Sequence, residues 1–196
     1  IIAEEAEEDV LKLAGVQETD LYSGVLDTTK SRFTWLMINL FTAVAASIVI
    51  GLFEGTLQQI VALAVLMPIV ASMGGNAGTQ TLTVAVRAIA MRDLSASNAL
   101  RFVGKELLVG LVNGVLFAVV SGLVAWYWFD TPMIGVIIGA AMVINLVVAA
   151  LSGALVPLGL EKMGVDPAVA SSVVLTTVTD VVGFFAFLGL ATVFLL

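Results

Sequence analysis

The chain has 196 residues, 60% hydrophobic and 12% charged, a balance that excludes an ordinary soluble domain and indicates a membrane protein. With neither cysteine nor histidine, it excludes disulfides, thiolate metal sites and imidazole ligands, so oxygen and amide groups remain and hard cations such as Mg²⁺, Ca²⁺ or Mn²⁺ suit them. The formal charge of -7 is local, because residues 1–29 hold eight acids and one lysine while residues 30–196 balance, and no nucleic-acid partner is expected.

Residues 1–16 read as a short amphipathic helix, with Val10, Leu11 and Leu13 on its apolar side and Gly15 as a stop. The acids there are either a solvated face or a counterpart for a cation or a basic partner. The chain begins at Ile1 in this acidic stretch, which suggests a piece of a longer protein. Residues 17–34 form a linker or a second cytoplasmic helix, leading through Lys30 and Arg32 to Trp35 at the membrane interface.

Cutting the remainder at its charges gives apolar runs at Phe33–Phe53, Gly55–Val86, Leu107–Phe129, Thr131–Leu160 and Pro167–Leu196, the last of them interrupted by Asp180 alone. Each exceeds or approaches the roughly 20 residues one membrane crossing needs, and none alternates with period two, so five helices are predicted and a barrel is excluded. The first span carries Asn39, Thr42 and Ser47 as its few polar groups and reads as scaffold.

The second is anomalous. Its 32 residues would reach about 48 Å at 1.5 Å each, beyond a hydrocarbon layer of about 30 Å. It also contains Pro68 and the run Ser72-Met73-Gly74-Gly75-Asn76-Ala77-Gly78-Thr79-Gln80. A kink or an unwound turn is expected, with freed carbonyls as cation ligands. Asn76, Gln80, Thr83 and Arg87 follow at helical spacing as one polar stripe, which reads as a pore wall. The rival reading is close helix packing through Gly74 and Gly78.

The third span repeats small residues at Gly110, Gly114, Ala118 and Gly122, a helix contact, and ends in Trp126-Tyr127-Trp128, an interfacial anchor. In the fourth, Asn145 either lines a route or satisfies a neighbouring helix. The fifth opens at Asp166-Pro167, an N-cap followed by a first-turn proline. Along it Ser172, Thr176, Asp180 and Gly183 share one face.

Asp180 has thirteen uncharged residues before it and sixteen after it, and is read as the one full charge deep inside a span. A carboxylate there costs roughly 2.5 to 3.5 kcal/mol on insertion scales and marks an ion or proton route unless it is a protonated or bonded structural group. All eight basic residues fall in the termini and loops of one side, whereas Glu54 and Asp130 occupy the other. The amino terminus is therefore expected in the cytoplasm and the carboxyl terminus outside, in a multi-pass protein of the inner (plasma) membrane. An intramembrane aspartyl protease would need paired carboxylates and a Gly-x-Gly-Asp signature, so no enzyme activity is expected.

Pro68 with Gly74 to Gln80, the loop Arg87 to Asp93, the turn Gly164-Val165-Asp166-Pro167, and Thr179-Asp180 with Gly183 together resemble the membrane domain of the MgtE magnesium channel family. The resemblance covers essentially all 196 residues. It implies an all-α homodimer with five membrane helices per subunit (residues 35–196) and a pore on the two-fold axis lined by the second and fifth. It implies that Asp180 of both subunits holds hydrated Mg²⁺, surrounded by oxygens at Gly75, Asn76, Thr79, Thr83, Ser172 and Thr176. The family often has a second amide where Thr79 stands. Residues 1–34 would then join a cytoplasmic regulatory module of CBS type to the pore, with Glu5, Glu8 and Asp9 as regulatory Mg²⁺ ligands. A carrier exchanging Mg²⁺ for Na⁺ or H⁺ is the alternative mechanism, and a purely structural membrane subunit is a further rival.

Overall fold

Backbone amides in a membrane must be satisfied within their own segment, and the apolar runs of this chain meet that demand as long helices. A computed structural model describes residues 8, 11–16, 22–95 and 97–196. Its helices are α1 (Val25–Gly51), α2 (Glu54–Gln59), α3 (Val61–Ala90), α4 (Ala99–Phe129), α5 (Pro132–Lys162) and α6 (Pro167–Leu195). Five of them, all but α2, are long and apolar enough to cross a membrane.

The helices run past the charges at which the sequence was cut. Lys30 and Arg32 lie within α1, Arg87 within α3, Arg101, Lys105 and Glu106 within α4, and Glu161 and Lys162 within α5. Helical hydrogen bonding continues into the interface, where long basic side chains reach water without breaking it. Consequently residues 25–34 are the opening turns of α1 rather than a linker or a separate helix.

The second span departs from expectation most. A corner at Ile60 (φ -129°, ψ 81°) splits off the short α2, yet the 30 residues of α3 still reach about 45 Å and extend past the hydrocarbon layer. From Val61 to Ala90 the helix then continues through Pro68 and the glycine run with no unwound turn. Its glycines serve close packing instead. A side chain at Gly74 would overlap the Asn145 amide, and one at Gly78 would come within 2.7 Å of Leu175. Keeping the helix intact leaves no row of amides without partners in hydrocarbon.

Helix α5 is central, with α4 on one side, α3 and α6 on the other, and α1 against α6. Leu63, Leu66 and Val70 of α3, Ile134, Ile137 and Ile138 of α5, and Phe187 and Leu188 of α6 form one buried cluster. The small-residue ladder of α4 is used inside the chain. Gly110 abuts Ala150, Gly114 abuts the backbone of Val143, and Gly122 abuts the carbonyl of Gly135, all on α5.

Candidate ion-binding site

Two helices position the predicted site, and their contacts fix its register. Gly78 of α3 touches Leu175 of α6, Leu82 and Val86 cluster with Leu175 and Ala168, and Leu63 and Leu66 cluster with Phe187 and Leu188. Numbers fall along α3 as they rise along α6, so the two run antiparallel. Gly74 and Gly183 both abut Asn145, one turn or two beyond the Gly78 contact. Asp180 lies between Leu175 and Gly183, and the register therefore sets it at the level of Gly75 and Asn76. By the same register Thr176 lies at the level of Ala77 and Gly78, and Ser172 near that of Thr81 and Leu82.

Faces follow from helical periodicity. Gly74, Gly78, Thr81, Leu82 and Ala85 of α3 are buried. Asn76, Thr79, Gln80 and Arg87 are exposed and Thr83 and Gly75 are half-buried; Gln80 stands at the edge of this face, lining a small cavity with Glu106 of α4 and Leu146 and Ala150 of α5. Ser172, Thr176 and Asp180 of α6 are half-buried. An added side chain at Gly75 would meet open space, so this glycine is not required by packing within the chain.

The hydrogen bonds give the stripe one chemical character. Thr79 Oγ1 donates to the Gly75 carbonyl at 2.8 Å, Thr83 Oγ1 to the Thr79 carbonyl at 2.8 Å, and Thr176 Oγ1 to the Ser172 carbonyl at 3.1 Å. Asn76 Nδ2 donates to Ser72 Oγ at 3.3 Å. Each group spends a hydrogen on its own helix, so these hydroxyl oxygens and the Asn76 carbonyl oxygen have lone pairs to offer. The Gly75 carbonyl accepts from Thr79 within an intact helix and is not the freed ligand that an unwound turn would supply. Asp180 has no hydrogen-bond or ion-pair partner among the described residues. A carboxylate beside a row of acceptors suits a cation and the water it carries.

No group of three or more acidic side chains that could hold a metal occurs among the described residues. Of the amino-terminal acids, Glu5 and Asp9 lie outside the described residues, as does Val10. Glu8 is exposed and pairs with Lys12 at 3.3 Å. Gly15 stops its helix with a left-handed φ of +68° and receives the Trp35 ring. Leu13 packs on the cluster of Leu82, Val86, Ala168 and Leu175, and Lys12 reaches Asp166 at 3.5 Å. Asp166 caps α6 as expected, accepting from the Ala168 amide at 2.9 Å. The segment around Leu13 thus sits beneath the ends of both site helices.

Asn145, open to either role in the sequence, is fully buried and donates to the Val70 carbonyl at 2.9 Å. It joins α5 to α3 rather than facing a route. Glu106 was missed. Cutting at charges left it outside the third span by construction, yet it lies within α4, only 7% exposed, and accepts from Thr81 Oγ1 at 2.9 Å. Asp180 is accordingly not the one charge inside a span. Thr81 occupies the α3 face opposite Thr79 and Thr83, so this pair stands behind the stripe.

The family model MgtE, described as a divalent cation transporter, matches residues 67–190 and so takes in Pro68, the glycine run and Asp180. "Magnesium transporter MgtE" of Enterococcus faecalis is 35% identical over 195 residues, covering 100% of this chain and 43% of that protein. Proteins of the same name from Bacillus subtilis and Thermus thermophilus are 30% and 35% identical, again over 100% of this chain and 44% of each relative. The chain spans less than half the length of these curated relatives. With a family match over most of its length and those identities end to end, the chain belongs to the MgtE family of divalent cation transporters.

Proposed function

We propose that this chain is the membrane portion of a Mg²⁺ uptake protein, and that Asp180 holds the passing ion. The observation that carries the reading is a carboxylate without a partner among the described residues, at the level of Gly75 and Asn76, beside oxygens whose hydrogens are already spent. Relatives named magnesium transporters support Mg²⁺ as the substrate. Mg²⁺ surrenders water reluctantly, so a wide site that grips the hydrated ion through Asp180, Asn76, Thr79, Thr83, Ser172 and Thr176 avoids most of the dehydration cost.

A stripe of exposed Asn76, Thr79 and Gln80 with half-buried Thr83 is unfavourable against lipid. A second copy of the chain, facing it across a two-fold axis, covers the stripe and supplies a second Asp180. The arrangement is a homodimeric pore in the inner membrane, entered from outside, with the amino terminus and all eight basic residues in the cytoplasm. Glu5, Glu8 and Asp9 would then meet cytoplasmic regulatory domains through bound Mg²⁺, which screens their repulsion and favours closure. Channel-type flow is the principal reading. Glu106, a second embedded acid, is the feature that favours a carrier coupled to Na⁺ or H⁺ as the alternative.

The experiment is Mg²⁺ uptake into liposomes by the wild type and Asp180→Asn, with Ca²⁺ and Na⁺ as competing ions. Loss of one charge per chain at the ion's level should cut Mg²⁺ flux by about tenfold or more. Equal uptake by both proteins removes the assignment of Asp180. Current under voltage clamp without a counter-ion gradient separates the channel from the coupled carrier.

A further inference from the structure

We propose that the cavity between the ends of α3, α4 and α5 binds an anionic phospholipid of the cytoplasmic leaflet, its phosphate held by Arg92 and Lys162. The side of the membrane rests on the orientation proposed above; the chemistry of the cavity does not.

The cavity, about 880 Å³, lies where the loop after α3 meets the start of α4 and the end of α5. That volume is of the size that receives a substantial ligand. Arg92 and Lys162 line it, and neither forms an ion pair with a described residue. Glu161 lines it too and opposes an anion, leaving one net positive charge among the ionisable side chains that line the cavity. The remaining wall is largely apolar. Leu100 and Leu155, from α4 and α5, line the same space and are 85% and 51% exposed. Two cationic groups above an apolar wall at a leaflet boundary match a phosphate attached to an acyl chain.

Two backbone features shape the cavity. Arg92 is a non-glycine residue at φ 59°, a conformation that costs free energy and is retained where the surroundings enforce it. Here they do. The Arg92 amide donates to the Ile89 carbonyl and the Leu94 amide to the Ala88 carbonyl, both at 2.9 Å. Asn98 then ties the loop by accepting from the Ser95 amide and donating to the Asp93 carbonyl, both at 2.8 Å. The second feature is Gly159. It lies inside α5, where glycine is disfavoured, and a side chain there would meet nothing of this chain within 4 Å. The room it leaves opens on the cavity, where an acyl chain would run.

Native mass spectrometry of the protein in mild detergent, titrated with phosphatidylglycerol or phosphatidylcholine, tests this directly. The wild type should hold phosphatidylglycerol in preference. R92Q/K162Q should weaken that binding by about tenfold or more, since each basic group near an anionic leaflet contributes appreciably, while R92K/K162R keeps it. Gly159→Leu leaves every charge in place, fills the wall and should lower retention also. It carries the test if R92Q/K162Q fails to fold, as thermal unfolding would reveal. Undiminished phosphatidylglycerol binding by R92Q/K162Q or by Gly159→Leu overturns the site. An equal loss in R101Q/K105Q, a pair of basic residues that do not line the cavity, reduces the effect to diffuse surface charge and overturns it as well. Displacement by glycerol 3-phosphate at matched concentration would assign the pocket to a soluble phosphate instead. Lipid retention reads no ion flux, so its outcome and that of Asp180→Asn are independent.

Discussion

Gly74→Ala is the substitution whose cost follows most directly from the structure. The new methyl carbon would lie 2.8 Å from Asn145 Cγ and 3.0 Å from Oδ1, and would overlap Nδ2. Carbon atoms prefer a separation of about 3.5 to 4.0 Å, so the amide must retreat by up to about 1 Å. It has nowhere to go. Asn145 is fully buried, and a side chain on Gly183 across from it would already stand 2.7 Å from Nδ2. Either α3 and α6 separate, at the roughly 1 to 3 kcal/mol typical of overpacking, or the amide leaves the Val70 carbonyl and forfeits about 1 kcal/mol of hydrogen bond. A destabilisation of about 1 to 3 kcal/mol results. Reversible unfolding in mixed detergent micelles measures it, together with Asn145→Ala and the double variant. Because the methyl would occupy space vacated by the amide, the double variant should cost at least about 1 kcal/mol less than the two single costs added. Gly74→Ala as stable as the wild type, or strict additivity, would show that α3, α5 and α6 are not joined through this amide.

Glu106→Gln keeps an oxygen for Thr81 and should retain stability within about 1 kcal/mol, whereas Glu106→Ala leaves the hydroxyl without its acceptor and opens space, costing about 1 to 3 kcal/mol more; thermal unfolding distinguishes them. Gly15→Ala places a side chain at φ +68° against the Trp35 ring, and should release the segment around Leu13 to proteolysis at rates several-fold above wild type while the membrane helices stay folded. The chain contains no cysteine, so single cysteines at Ser95 and Asp130 report orientation: the first should react with an impermeant maleimide only from the cytoplasm, the second only from outside. Labelling of both from one side would refute the topology.

What could be read from sequence was whatever depends on composition and local period. Five apolar runs, the Asp166 cap, the stop at Gly15 and the small-residue contact of Gly110 to Gly122 needed no knowledge of neighbours. The stripe from Asn76 to Thr83 was legible for the same reason, since three and four residue spacing alone puts groups on one helix face. The identity of the opposing residues was not. Gly74 and Gly78 are compatible with an unwound turn or with close packing, and only Asn145 and Leu175, distant along the chain, decide for packing. Glu106 was hidden because charge marks a segment's end in sequence, although a carboxylate can remain inside a helix when another helix brings a hydroxyl to it. The level of Asp180 against Gly75 and Asn76 is likewise a property of antiparallel register, set by side chains meeting across helices. Periodicity along one chain fixes faces and lengths; depth and partnership arise only when helices pack.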